Sequence, residues 1–184
     1  MSLTAALLIG AASVSTAAAP PVVDISTARA SLAGSWSGSL EYLDYSANKW
    51  FGIPVKTLIE DQGDGATMIR KSQFDDGPKV GIVQITTVEL FDQAKGAVTT
   101  ATFRKGRSAE LTSYTVRLDG AAKDATHWTI VEETKSSDDN RPAVLRLTTV
   151  RDGDALETLK EVDFLDDGKS EWLKRNRTRL TLVR

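Results

Sequence analysis

The 184-residue chain carries 23 lysines and arginines against 25 aspartates and glutamates, a formal net charge of −2. That is the length of one domain with one core, with no overall basic field to hold a nucleic-acid backbone. The absence of cysteine excludes a disulfide framework, a thiolate metal site and a cysteine nucleophile.

From Met1 to Val23 no residue is charged, and the apolar run Leu3 to Val14 is followed by the small residues Ser15 to Ala19. Residues 1–19 therefore read as a secretory signal with cleavage near Ala17-Ala18-Ala19, which places the mature protein in a periplasm or outside the cell. The run falls short of the roughly 20 apolar residues with basic flanks that a membrane anchor needs, so no membrane span is expected once the signal is removed. Residues 20–33 read as a tether and a short plug helix. Pro20-Pro21 resists regular structure, Asp24 or Ser26 can cap a helix running to about Leu32, and Gly34 can stop it. A helix this short persists only by packing, and one end of the following sheet is the available partner.

From Gly34 the pattern changes to period two, with turn residues returning every ten or so positions. The spacing predicts strands over 35–45, 50–61, 66–74, 79–92, 96–104, 109–118, 126–135, 143–152, 155–164 and 170–182. Asp-Gly recurs at Asp64-Gly65, Asp76-Gly77, Asp119-Gly120, Asp152-Gly153 and Asp167-Gly168, the dipeptide that supplies positive φ in tight hairpins. No gap after residue 34 is long enough for a crossover helix, which removes α/β folds. A meander of this length must close or leave two exposed edges. The expected fold is thus all-β, an up-and-down antiparallel barrel of about 8–10 strands over 34–184. Pro54 needs an outward or bulged place because it cannot donate to a ladder.

The segment from Lys169 to Arg184 holds six basic residues and one acid, Glu171. Alternation puts Arg175, Arg177 and Arg179 on one face. Turned inward, their guanidinium forks would hold a ligand carboxylate or phosphate. Turned outward, they would be a solvated face laced with acids such as Glu157, Glu161 and Asp163. A mixed arrangement is expected, with one arginine turned in at a barrel end. Tyr42, Tyr45, Trp50 and Phe51 cluster at the first hairpin, either as a hydrophobic rim or as ordinary cross-strand packing.

Gly34-Ser35-Trp36-Ser37-Gly38, preceded by a short helix and followed by a full-length meander with arginines on its last strand, resembles the calycin group of barrels, in particular bacterial lipocalin-like proteins. The resemblance implies that Trp36 packs across the closed end of the barrel with an arginine over its ring, Arg177 or Arg179 being the candidates, so that Gly34, Trp36 and Gly38 form a structural signature. The chain departs from fatty-acid-binding proteins, whose Arg-x-Tyr clamp is here Arg177-Thr178-Arg179. Haem-binding nitrobindin-like barrels share the Gly-x-Trp-x-Gly start but use a histidine near the C-terminus, whereas the sole histidine here is His127, beside Trp128.

His127 could serve as an axial ligand or general base, or simply sit at a strand start. Asp44-Tyr45, His127 and Glu132-Glu133 are the titratable groups that could converge, and no spacing requires it. With Gly-x-Ser-x-Gly, Ser-x-x-Lys and phosphate-loop motifs absent, no catalysis, metal or cofactor is expected. The expected function is binding of a small hydrophobic or amphiphilic molecule, with Tyr42, Tyr114, Arg175, Arg177 and Arg179 as candidate ligand contacts. The alternative is a filled barrel acting as an envelope-associated protein-interaction module; the oligomeric state is left open.

Overall fold

The computed structural model describes residues 23–184; the segment read as a signal lies outside the described residues. A short helix α1 (Ile25–Ala30) precedes ten strands: β1 (Gly34–Asp44), β2 (Lys49–Asp61), β3 (Thr67–Asp75), β4 (Ile82–Asp92), β5 (Ala97–Arg104), β6 (Glu110–Leu118), β7 (His127–Asp138), β8 (Arg141–Asp152), β9 (Ala155–Phe164) and β10 (Leu173–Leu182). Each pairs antiparallel with its chain neighbours, and β1 pairs with β10 to close the barrel. Closure satisfies the edges that an open meander would expose.

The local chemistry explains the boundaries. At all five Asp-Gly steps the glycine takes positive φ. The β7–β8 hairpin is tighter than its run of polar residues implies, because Asp139 and Asn140 themselves adopt φ of 50° and 60°, the geometry of a two-residue type I′ turn. β4 starts at Ile82, not 79, because Val80 and Gly81 N–H groups both donate to the Gly77 carbonyl and fold the preceding residues into a turn. Pro54 is exposed and paired with Ser39, one residue beyond the end of the β2–β3 ladder.

α1 is capped by Asp24, whose carboxylate accepts the Thr27 N–H at 2.8 Å, while the Ser26 hydroxyl donates to the Gly65 carbonyl of the β2–β3 turn. The helix closes one end of the barrel. Ala28 and Leu32 are buried in the core with Trp36, Ile59, Met68, Phe91, Val98, Trp128 and Leu180. Trp36 is 1% exposed and its indole N–H donates to the Leu32 carbonyl at 2.9 Å, so ring and helix lock each other. The glycines beside it are steric necessities. A Cβ on Gly38 would stand 1.9 Å from the Arg179 carbonyl oxygen of β10, and Gly34 has φ +142°.

The guanidinium nearest the Trp36 ring belongs to Arg151 of β8, 5.3 Å from the ring centroid, so the expectation that Arg177 or Arg179 covers it is corrected. The register explains why. Arg177 and Arg179 pair with Glu41 and Ser39, whereas Trp36 shares its face with Leu180 and Leu182. Arg151 also donates to the carbonyls of Gly153 and Ser31, tying the helix end to the β8–β9 hairpin.

Replacing Trp36 with alanine removes a large buried ring and the helix's hydrogen-bond donor, so Trp36→Ala should lower the unfolding free energy by about 3–5 kcal/mol in urea titrations. A loss under about 1 kcal/mol would place the ring outside the core.

Candidate functional site

Inside the barrel lies a cavity of about 300 Å³, at the lower end of the roughly 300–1,000 Å³ typical of small-molecule sites. Ten strands enclose a wider bore than the roughly eight whose own side chains can fill it. Apolar wall comes from Val55, Phe74, Leu147, Leu156 and Leu180. Hydroxyl pairs bridge neighbouring strands on the same inner wall: Thr57 with Ser72 at 2.9 Å, Thr87 with Thr102 at 3.2 Å, and Thr149 with Thr158 at 3.0 Å.

At the helix end the cavity is charged. Arg29, 5% exposed, drops from α1 into the bore and meets Glu89 of β4 at 2.7 Å and Glu132 of β7 at 3.4 Å. The second Glu89 oxygen accepts from Nε of Arg70, on β3, at 3.0 Å. Burial drives the Glu89 carboxyl upward, but the charges and hydrogen bonds of Arg70 and Arg29 outweigh it and hold the pKa below the ordinary value. At Glu132 burial, aided by repulsion from Glu89, prevails over the same two arginines and the pKa is raised. Tyr114 of β6 also lines the cavity, and burial raises its phenol. Among the described residues the Arg70 Nη groups make no hydrogen bond, so the floor offers guanidinium N–H groups and the Tyr114 phenol as donors, beside a Glu132 carboxyl whose pKa burial raises.

Of the residues singled out from sequence, Tyr114 lines the cavity. Tyr42 stands at the opposite, open end, 38% exposed and stacked on Phe51 at 5.7 Å. Arg175 sits at a bulge between Lys174 and Asn176. The extra residue breaks the alternation and lets Arg175 reach Asp138, 2.5 Å away, close but not aligned as a hydrogen bond. Asp138 also accepts from Lys160 at 3.0 Å. Arg177 and Arg179 face outward, away from the cavity. Arg177 pairs with Glu41 at 2.6 Å and lies 4.3 Å over the Trp50 ring, and Arg179 pairs with Glu157 at 3.2 Å. His127 lies at the helix end of the wall, its Nδ1 2.8 Å from Asp124 and its Nε2 3.4 Å from Asp152; it does not reach the cavity.

Of the charged floor, Glu132 was named from the sequence as a titratable candidate, but Arg29, Arg70 and Glu89 were not, although a signal was present. Glu89 shares strand parity with Phe91, and Glu132 with Trp128 and Ile130, all buried. A glutamate in step with buried aromatics is aimed at the core.

No protein-family model matches this chain, and no curated protein is significantly similar to it in sequence.

The two glutamates should respond oppositely to neutralisation. The lowered pKa of Glu89 means its stabilisation is present above the ordinary carboxylate range and is lost as pH falls through its folded-state pKa. The raised pKa of Glu132 means its contribution is present at low pH and is lost as pH rises through that raised value. In urea unfolding at neutral pH, Glu89→Gln should cost about 3–5 kcal/mol by stranding a buried arginine charge, whereas Glu132→Gln should be neutral or stabilising.

Proposed function

We propose that this protein is an exported, calycin-like binding protein whose barrel holds one small amphiphilic molecule, with a hydrogen-bond-accepting head group such as a carboxylate against the charged floor and an apolar body toward Val55, Phe74 and Leu147. The single observation that carries this is a cavity of about 300 Å³ in which apolar wall meets a donor-rich, buried ionic floor. A core meant only for stability gains little from buried ion pairs, since hydrophobic residues of similar size serve as well or better. The open interior favours binding over the filled-barrel alternative.

The calycin reading draws support from the helix that closes one end, Trp36 packed beneath it and an arginine beside its ring, although that arginine comes from β8. Operation in water, consistent with export and removal of the signal, draws support from the outer wall. Ion pairs such as Arg146–Glu161 at 2.8 Å and Lys71–Glu60 at 2.6 Å face outward along the strands, where lipid contact would penalise them. No helix among the described residues is long and apolar enough to cross a membrane.

Competitive displacement of anilinonaphthalene sulfonate fluorescence tests the reading. Decanoate and decanol should both displace the dye, and Arg70→Gln should weaken decanoate about tenfold, the loss of one charge-assisted hydrogen bond, while changing decanol by less than about twofold. Failure of the dye and both amphiphiles to bind would overturn the proposal.

A further inference from the structure

We propose that the amphiphile enters and leaves through the side of the barrel, between β6 and β7, with the Tyr114 side chain as the gate; this rests on the binding reading above. The seam there is incomplete. β6 and β7 share four residue pairs, from Leu118↔Ile130 to Thr115↔Glu133, whereas the other nine seams have six to twelve. Neither strand has ended. β6 stays paired with β5 as far as Glu110, and β7 with β8 as far as Asp138. Had the ladder continued in register, Tyr114 would face Thr134, Ser113 would face Lys135 and Glu110 would face Asp138. Instead the strands part just beyond Thr115, whose hydroxyl donates to the Glu133 carbonyl at 3.2 Å.

A recess of about 480 Å³ opens over this seam, lined by Ser113, Tyr114, Glu133, Thr134, Lys135 and Val144 and reaching the still-paired Ala97 and Thr115. Tyr114 belongs to the walls of both this recess and the interior cavity. Tyr114 is the one residue common to the two linings, and swinging its ring requires no ladder hydrogen bond to break. Opening any of the other nine seams along its ladder would have to unzip paired backbone, which places it among the more costly local openings.

The open end is a poorer route. The Asp138–Lys160–Arg175 cluster draws β7, β9 and β10 together there. Ala143, Val162 and Phe164 pack into a separate buried cluster on the same side, and Tyr42 stacks on Phe51 across β1 and β2.

The chain has no cysteine, so a bridge across the seam can be introduced cleanly. Ser113→Cys with Lys135→Cys, closed by oxidation or by a short bis-alkylating linker, joins two positions that bound the fork but not the cavity. Stopped-flow binding of anilinonaphthalene sulfonate to the bridged and open forms of this double variant reads the route. Bridging should slow association and dissociation together by at least about tenfold and leave Kd within about twofold, because a doorway alters both rates and a ligand contact alters chiefly dissociation. Reduction of the disulfide should restore both rates. Should the bridge fail to form, Tyr114→Ala provides the second test and should raise the association rate constant severalfold, a rise that loss of a ligand contact alone would not produce. Association rates that do not change on bridging, or on removing the Tyr114 ring, would overturn the lateral route and leave the open end as the entrance. Absence of dye binding in every form would instead overturn the binding reading beneath it.

Discussion

A six-residue helix supplies the side chain on which the interior depends. Arg29 is separated by 60 residues from Glu89 and by 103 from Glu132, and its guanidinium draws β4, β7 and the helix plug to one point. The helix could not persist alone in water. It is held by Trp36 and Leu32 below, by Ser26 on the β2–β3 turn, and by Arg151 at its C-terminal end. Breaking the Arg29 contacts would leave a charge in a low-dielectric bore, so the plug and the charged floor stand or fall together.

That coupling follows from strand number. Ten strands leave a bore that inward side chains alone do not fill, and two solutions coexist along its length. At the helix end apolar rings and the plug fill it; in the middle, hydroxyl-bearing residues and the ion cluster line an unfilled space. Threonine suits such a wall because its β-branched form favours strands and its hydroxyl can pair with a neighbour across the ladder. The outer wall solves the opposite problem. Arg146 lies 3.8 Å over the Trp172 ring and Arg177 4.3 Å over Trp50, so long cationic stems cover exposed aromatic surface while their charges pair with Glu161 and Glu41.

The architecture was legible because its signals are local and repeated. Period-two alternation, five Asp-Gly turns and short connections specify ten antiparallel strands, and closure follows from the cost of free edges. The aim of individual arginines was less legible, because strict alternation assigns Arg175, Arg177 and Arg179 to one face. A one-residue bulge at Arg175 turns it toward Asp138 while the other two stay outside, and nothing in the residues around it announces the bulge. The partner of Trp36 was misassigned for a related reason: closure places β10 beside β1 with Leu180 and Leu182 inward, leaving β8 to supply the arginine. The ionic floor needed a contact between a helix and two strands distant in sequence, although the parity of Glu89 and Glu132 with buried aromatics pointed inward. The parting of β6 from β7 has no counterpart in the sequence pattern, since both segments alternate as though they continued to pair.

We propose that the bore is kept open for a guest. Native mass spectrometry of the protein purified under gentle conditions from the cells that make it tests this most directly. A protein that carries a guest should show a population heavier than the bare chain by a single small molecule, roughly the size that a 300 Å³ cavity admits, lost as collision energy rises and diminished by Arg70→Gln. Bare protein alone, with no adduct at any collision energy, would contradict it.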